Sequence, residues 1–227
     1  MLQPFADEIW IAAGPTADVA GFTYPTRMAV IRLSGGRLFI WSPVALSEDL
    51  RAAVEALGEV AFLIAPNSLH HLFLPEWKAA YPQARLFAAP GLADRRRDIA
   101  FDAELGDKPA AEWAAEIDQA VFAGNRITEE VVFFHRASRT AIFTDLIQHF
   151  PPGWFTGWRA LVAKLDLMSA PRPEVPRKFR VATSDRRAAR AALQRILAWP
   201  TDRVLMAHAP PVEAGGRAFI ARTFRWL

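Results

Sequence analysis

Histidine and aspartate residues follow three separate apolar segments of this chain. His70 and His71 come after Val60-Ala61-Phe62-Leu63-Ile64, Asp145 after Ala141-Ile142-Phe143-Thr144, and His208 after Arg203-Val204-Leu205-Met206-Ala207. Strands buried on both faces carry few polar side chains, so polar groups collect where such strands open into loops. Imidazole nitrogens and a carboxylate gathered there form a donor set for one divalent transition metal, zinc ahead of iron. Such an ion lowers the pKa of bound water to about 7 and polarises an ester, lactone or phosphate oxygen. The expected ligands are His70, His71, Asp145 and His208.

The elements that must position these residues read as a mixed α/β pattern. Strands are expected at 8–12, 27–33 and 37–42, the last two joined as a hairpin by Ser34-Gly35-Gly36. A helix capped by Ser47 and ended by Gly58 leads into the strand at 60–64. A helix over 74–81 stops at Pro82, and a strand follows at 84–88. Residues 92–116 read as a looser crossing. Glu130–His135 and Thr140–Thr144 form a second hairpin around Arg136-Ala137-Ser138-Arg139. Helices are then expected over 154–165 and, with a serine cap, 184–199, and Pro171–Pro176 reads as an internal crossing. Hairpins mixed with strand–helix–strand units suit two packed sheets with helices outside, a four-layer α/β/β/α sandwich in one domain spanning 1–227.

Composition narrows the function classes. The 27 basic and 24 acidic residues leave a formal charge of only +3, and the basic residues are scattered apart from Arg95-Arg96-Arg97 and Arg186-Arg187. Nucleic acid is therefore not the expected partner. No apolar stretch approaches the ~20 residues of a membrane helix, and Asp7 and Glu8 interrupt any leader-like start. A soluble cytoplasmic protein acting on a small molecule is the expectation. The chain has no cysteine, which excludes disulfides, thiolate ligands and a cysteine nucleophile. Neither a Gly-x-Ser-x-Gly elbow nor a phosphate-binding or dinucleotide fingerprint is present.

With these segments in order, the chain resembles the metallo-β-lactamase superfamily. That superfamily places His-x-His-x-Asp-His after an early strand, a further His before a hairpin, an Asp at the hairpin's end and a last His after a late strand. Here Pro66-Asn67-Ser68-Leu69-His70-His71 stands at the first motif, Gly124-Asn125 at the Gly-His step, Thr144-Asp145-Leu146 at the aspartate and Ala207-His208-Ala209-Pro210 at the last histidine. The resemblance implies that Pro66, Ser68 and Asn125 occupy the positions of a lost first metal site. His70, His71, Asp145 and His208 keep the second. The phrases Ala65–Phe73 and Glu130–Thr140 are similar to an uncharacterised branch known as a domain of unknown function.

Alternatives stand beside these readings. Adjacent histidines on a regular helix point about 100° apart. Both rings reach one metal only from a loop or a first helical turn capped by Asn67 or Ser68; otherwise one binds and the other hydrogen-bonds a neighbour. Four protein ligands would close a tetrahedral zinc site, whereas catalysis needs an open position. Asp145 can instead cap a turn. His135 and Arg139 belong either to a polar network bracing the hairpin with Glu130, Ser138 and Thr140 or to a substrate site. Arg139 and Arg27 are the candidate cations for an anionic substrate. Trp154, Phe155 and Trp158 pack on the core or wall a pocket near Asp145, and His149 is expected on the surface. Two functions follow: a hydrolase with one surviving metal, or a non-catalytic protein of the same fold that binds a ligand or a partner.

Overall fold

A computed structural model describes residues 1–227. The first half of the chain builds a seven-stranded sheet in sequence order: β1 (Gln3–Ala6), β2 (Ile9–Val19), β3 (Phe22–Arg32), β4 (Arg37–Trp41), β5 (Glu59–Ala65), β6 (Arg85–Ala88) and β7 (Ala103–Glu104). Its first four strands pair antiparallel and its last four parallel. The parallel steps need crossovers, and α1 (Glu48–Glu55), α2 (Leu74–Ala80) and the short α3 (Leu92–Arg95) lie in them. Ser47 caps α1 as expected, its side chain accepting from the Leu50 amide, and Glu48 and Asp49 favour the positive end of the helix dipole.

The second sheet has four strands, β8 (Ile117–Phe122), β9 (Glu130–His135), β10 (Thr140–Gln148) and β11 (Arg203–His208), in the order β11-β10-β9-β8. Every residue of β9 and β10 is buried. Ile31, Phe39, Trp41 and Ile64 of the large sheet meet Ile117, Val131, Phe133, Ile142 and Leu205 of the small one in an apolar layer. The outer face of the large sheet packs through Val30, Ile40 and Leu63 on Leu50 and Val54 of α1 and on Leu74 and Trp77 of α2. The outer face of the small sheet packs on Ala189, Ala192 and Ile196 of α6 (Arg186–Ala198) and Ile220 of α7 (Gly216–Thr223). The layers run α/β/β/α, as read from the sequence.

Several elements differ from that reading. Where only separate strands at 8–12 and 27–33 were expected, β2 and β3 pair as a long hairpin out to Val19 and Phe22. Its alternation is broken by a register shift between Gly14 and Ala17, and a shift of that kind hides a strand from a period-two pattern. β8 follows the looser crossing, and three helices were not foreseen, α3, α5 (Arg177–Ala182) and α7. α4 begins at Gly157 and ends at Leu165, three residues later than expected at its start. The cap of α6 is Asp185, whose carboxylate accepts from the Ala188 amide, in place of Ser184. No helix is long and apolar enough to cross a membrane.

Candidate metal centre

β5, β10 and β11 end on one edge of the sandwich, and His70, Asp145 and His208 meet there. Their nearest ligand atoms all lie within 4.8 Å of one another. His70 Nε2 is 3.2 Å from Asp145 Oδ2, His208 Nε2 is 3.3 Å from Asp145 Oδ1, and the two ring nitrogens are 3.2 Å apart. At that separation the two rings cannot both keep a proton on Nε2 facing the other, so at least one lone pair points into the cluster. Two imidazoles and one carboxylate around a common point match the donors that zinc and iron(II) accept. The residues fit such an ion.

Each of the three groups is placed by an identifiable local device. β10 pairs with β11 in regular register up to Phe143–Met206, and the next pair is Gln148–His208. Residues 144–147 therefore bulge out of the ladder. Their amides would be orphaned in the interior. The carboxylate of Glu130, fully buried at the head of β9, accepts from the amides of Thr144, Asp145 and Leu146 at 2.7, 2.7 and 3.0 Å. The bulge re-aims Asp145 toward the cluster, and Glu130 holds the bulge. Burial, with the Asp145 charge adding to it, pushes the Glu130 carboxyl up to about 7 even against those three donors.

Asn67 does the equivalent work for His70. Its carbonyl oxygen accepts from the Leu69 and His70 amides, at 2.8 and 3.0 Å, and its amide nitrogen donates to Asp145 Oδ2 at 2.7 Å. One buried side chain thus shapes the loop after β5 and orients the carboxylate. Gln148 approaches the other oxygen, Asp145 Oδ1, at 3.4 Å. His70 Nδ1 meets Ser42 Oγ at 2.7 Å, which fixes the ring's direction from behind. Arg27 donates to the carbonyls of Met206 and Ala209, and the His149 amide donates to the His208 carbonyl at 2.8 Å. The chain around His208 is pinned from both sides. Burial tends to raise the Asp145 carboxyl, but the charges and hydrogen bonds of His70 and His208 outweigh it and hold the group well below the usual range. Burial lowers the His208 imidazole despite its bond to Asp145. An ionised carboxylate beside a neutral imidazole is the state a cation needs.

His71 does not join them. Its Nδ1 accepts from Arg96 at 2.6 Å, and burial followed by the Arg96 charge lowers its pKa. Asn67 does cap the turn, as one of the expected alternatives, but the regular helix starts only at Leu74, and the adjacent rings diverge. Of the four expected ligands, His70, Asp145 and His208 converge and His71 lies apart from them.

Pro66, Ser68 and Asn125, the positions read as a lost metal site, bond within the protein. The Pro66 carbonyl accepts from the Val131 amide, and Ser68 Oγ meets Thr128 Oγ1 at 3.0 Å. Asn125 donates to the Phe179 carbonyl and to Thr183 Oγ1 and accepts from the Ile127 amide, tying the loop before β9 to α5. Gly124 has φ +84°, and a Cβ there would lie 2.7 Å from the Asp185 carbonyl oxygen, so only glycine fits.

His135 and Arg139 sit at the far end of the β9–β10 hairpin. Five residues of strand, roughly 16 Å, separate Thr140 from Asp145. His135 Nδ1 bonds Ser138 Oγ, and Ser138 bonds Thr140, the bracing network of the structural alternative, although Glu130 lies at the other end. Arg139 pairs with Asp202 and the Pro200 carbonyl. His149 is half-buried, not a surface residue. Phe155 packs with Phe150 and Phe22, whereas Trp154 and Trp158 stay partly exposed.

The cluster opens into a cavity of about 730 Å³, within the ~300–1,000 Å³ of small-molecule sites. Ser68 and His71 line it, as do Tyr24, Gln148, Asp166 and Lys178. Sequence reasoning missed Asn67 and Glu130 as partners of the cluster and Lys178 as a cavity residue. Glu130, an acid heading a wholly apolar run, was the one available signal.

Architecture and cluster together correspond to the metallo-β-lactamase fold. A metallo-β-lactamase from Pontibacter korlensis superposes with a TM-score of 0.62 at 11% identity, covering 100% of this chain and 97% of that one. The metallo-β-lactamase FIM-1 from Pseudomonas aeruginosa in its mono-zinc form gives 0.64 at 8% identity over 98% and 93%. A metal-soaked Flv1 flavodiiron core from Synechocystis gives 0.66 at 13% identity over 100% of this chain and 60% of that one. No curated protein matches in sequence. The chain belongs to the family described as a domain of unknown function, DUF4336, whose model matches residues 6–156.

Proposed function

We propose that this protein is a hydrolase that works with one divalent metal ion, zinc ahead of iron, held by His70, Asp145 and His208. The carrying observation is the convergence of those three groups, buried or nearly so, at a cavity large enough for a small molecule. Three protein ligands leave a coordination position open, as catalytic sites require and as four would not. The mono-zinc form of the similarly folded FIM-1 gives a precedent for one metal in this architecture, in that protein.

When bound, the ion would supply an acidified water and a Lewis acid for an ester, lactone or phosphoester. The chain's own residues orient and insulate. Asn67 and Gln148 hold the two oxygens of Asp145 in place, Ser42 sets the His70 ring, and Glu130 fixes the backbone from which Asp145 projects. His71, neutral beside Arg96, stands at the cavity wall, where it can hydrogen-bond a substrate without competing for the metal.

The test is hydrolysis of a 4-nitrophenyl ester, a simple lactone and a 4-nitrophenyl phosphodiester by protein loaded with zinc or iron. Turnover that appears with metal and disappears in Asp145→Ala is the expected result. A loaded protein that turns over no ester, lactone or phosphoester would overturn the hydrolase and leave a ligand-binding module.

A further inference from the structure

We propose that the cavity takes an amphiphile with an uncharged head and a long apolar tail, the tail leaving along the exposed face of α4. The position of the head rests on the reading of His70, Asp145 and His208 as the reactive end; the tail path rests on the cavity wall alone.

α4 is turned the unusual way for a surface helix. Trp158, Leu161, Val162 and Leu165 follow the i, i+3, i+4, i+7 spacing of an apolar stripe, which a helix ordinarily buries. Here they are 59%, 60%, 39% and 56% exposed, and Ala163 is the only buried residue of the helix. Val162 also lines the cavity, so the stripe continues its wall beyond the mouth. Val19, Leu69, Leu72 and Ile127, likewise at least 37% exposed, line the same cavity from three other segments. Large apolar groups from four separate places are thus exposed around one opening, and contiguous exposed apolar surface marks a binding site. Inside, the wall continues through Phe22, Phe73 and Met168.

The charges point to the head group. Lys178 is the only lysine or arginine lining the cavity, and Asp166, also on the wall, lies 3.4 Å from its Nζ. Tyr24 takes a further bond from the same ammonium at 3.0 Å. Arg27 is committed to the carbonyls around His208 and Arg139 to Asp202. Arg95 is exposed and reaches the cavity only through the Ser68 hydroxyl. In the metal-free protein a carboxylate or phosphate head would enter with no unpaired lysine or arginine on the wall to receive it, whereas a neutral ester or alcohol head needs none.

The experiment is titration of metal-free protein with hexanoyl, octanoyl, decanoyl and dodecanoyl monoacylglycerols, each below its micelle concentration, beside the fatty acids of the same lengths. Affinity is expected to rise about fourfold per methylene, with the carboxylates binding no more tightly than the neutral series. Leu161→Ser and Val162→Ser should weaken the dodecanoyl compound about tenfold and the hexanoyl one little, while Val181→Ser, 85% exposed and outside the cavity, changes neither. Affinity independent of chain length would overturn the proposal, as would a preference for the carboxylates or a dimer that buries α4 and excludes the amphiphile. Because the titration needs no metal, a protein that binds the series but hydrolyses nothing when loaded would defeat the hydrolase and keep this inference. One that hydrolyses esters without regard to chain length would do the reverse.

Discussion

Two sets of residues in the strand-end loops differ in what their polar atoms meet. On one side His70, Asp145 and His208 turn their donor atoms inward, and their neighbours spend hydrogen bonds holding them there. On the other, Pro66, Ser68 and Asn125 turn theirs into the protein, to Val131, Thr128, Phe179 and Thr183. The donor atoms that converge are backed by partners that hold them, while the polar atoms of the other set are spent on bracing neighbouring loops. The difference teaches that neighbouring loops of one fold can present donor atoms in one place and serve as braces in another.

Substitutions can break or sharpen this contrast. The largest effect is expected from Asp145→Ala and His208→Ala, each of which removes a donor atom. Metal affinity by competition with a chromophoric chelator should fall by more than the 10- to 100-fold that loss of an outer partner costs. Asn67→Ala removes such an outer partner and should fall within that range. If Asn67→Ala were as damaging as Asp145→Ala, the loop geometry and not the donor set would define the site.

Glu130→Gln keeps the shape but replaces a carboxylate that accepts three amides with a group that can accept through only one oxygen. A loss of about 1–3 kcal/mol in urea unfolding is expected, with weakened metal binding because the bulge carrying Asp145 is released. Asn125→Ala should cost about 1–3 kcal/mol as well, since it strands buried partners, but leave metal content unchanged. That pairing is the sharpest form of the contrast: similar stability loss, opposite consequence for the metal. His71→Ala and Ser68→Ala should be smallest, near 0.5 kcal/mol or less, with metal content retained in both.

Much of this arrangement was legible in the sequence. The apolar runs at 60–64, 140–144 and 203–207 announced buried strands, and the polar residues after them announced the edge at which His70, Asp145 and His208 meet. The direction of an adjacent pair was not legible. His70 and His71 are chemically alike, and His71 is held away from the cluster by Arg96, which arrives from a segment about 25 residues on. The bulge in β10 was equally hidden, since Thr144 to Gln148 is as buried as the rest of the strand and the carboxylate that holds it comes from β9. The two alternatives for Arg139 and His135 could not be separated because a hairpin has two ends, and sequence distance along it does not say which end faces the pocket. The apolar wall was beyond reach for a related reason: α4, the β2–β3 tip and the loops at Leu69 and Ile127 come together only in the fold.

The most direct test of the one-metal centre is metal stoichiometry on protein purified without chelator and then equilibrated with zinc, measured by mass spectrometry of the intact protein under native conditions. One ion per chain is expected, dropping to none in Asp145→Ala and staying at one in Ser68→Ala. Two ions per chain, or none in the unaltered protein, would contradict the division of the pocket into a ligand half and a scaffold half.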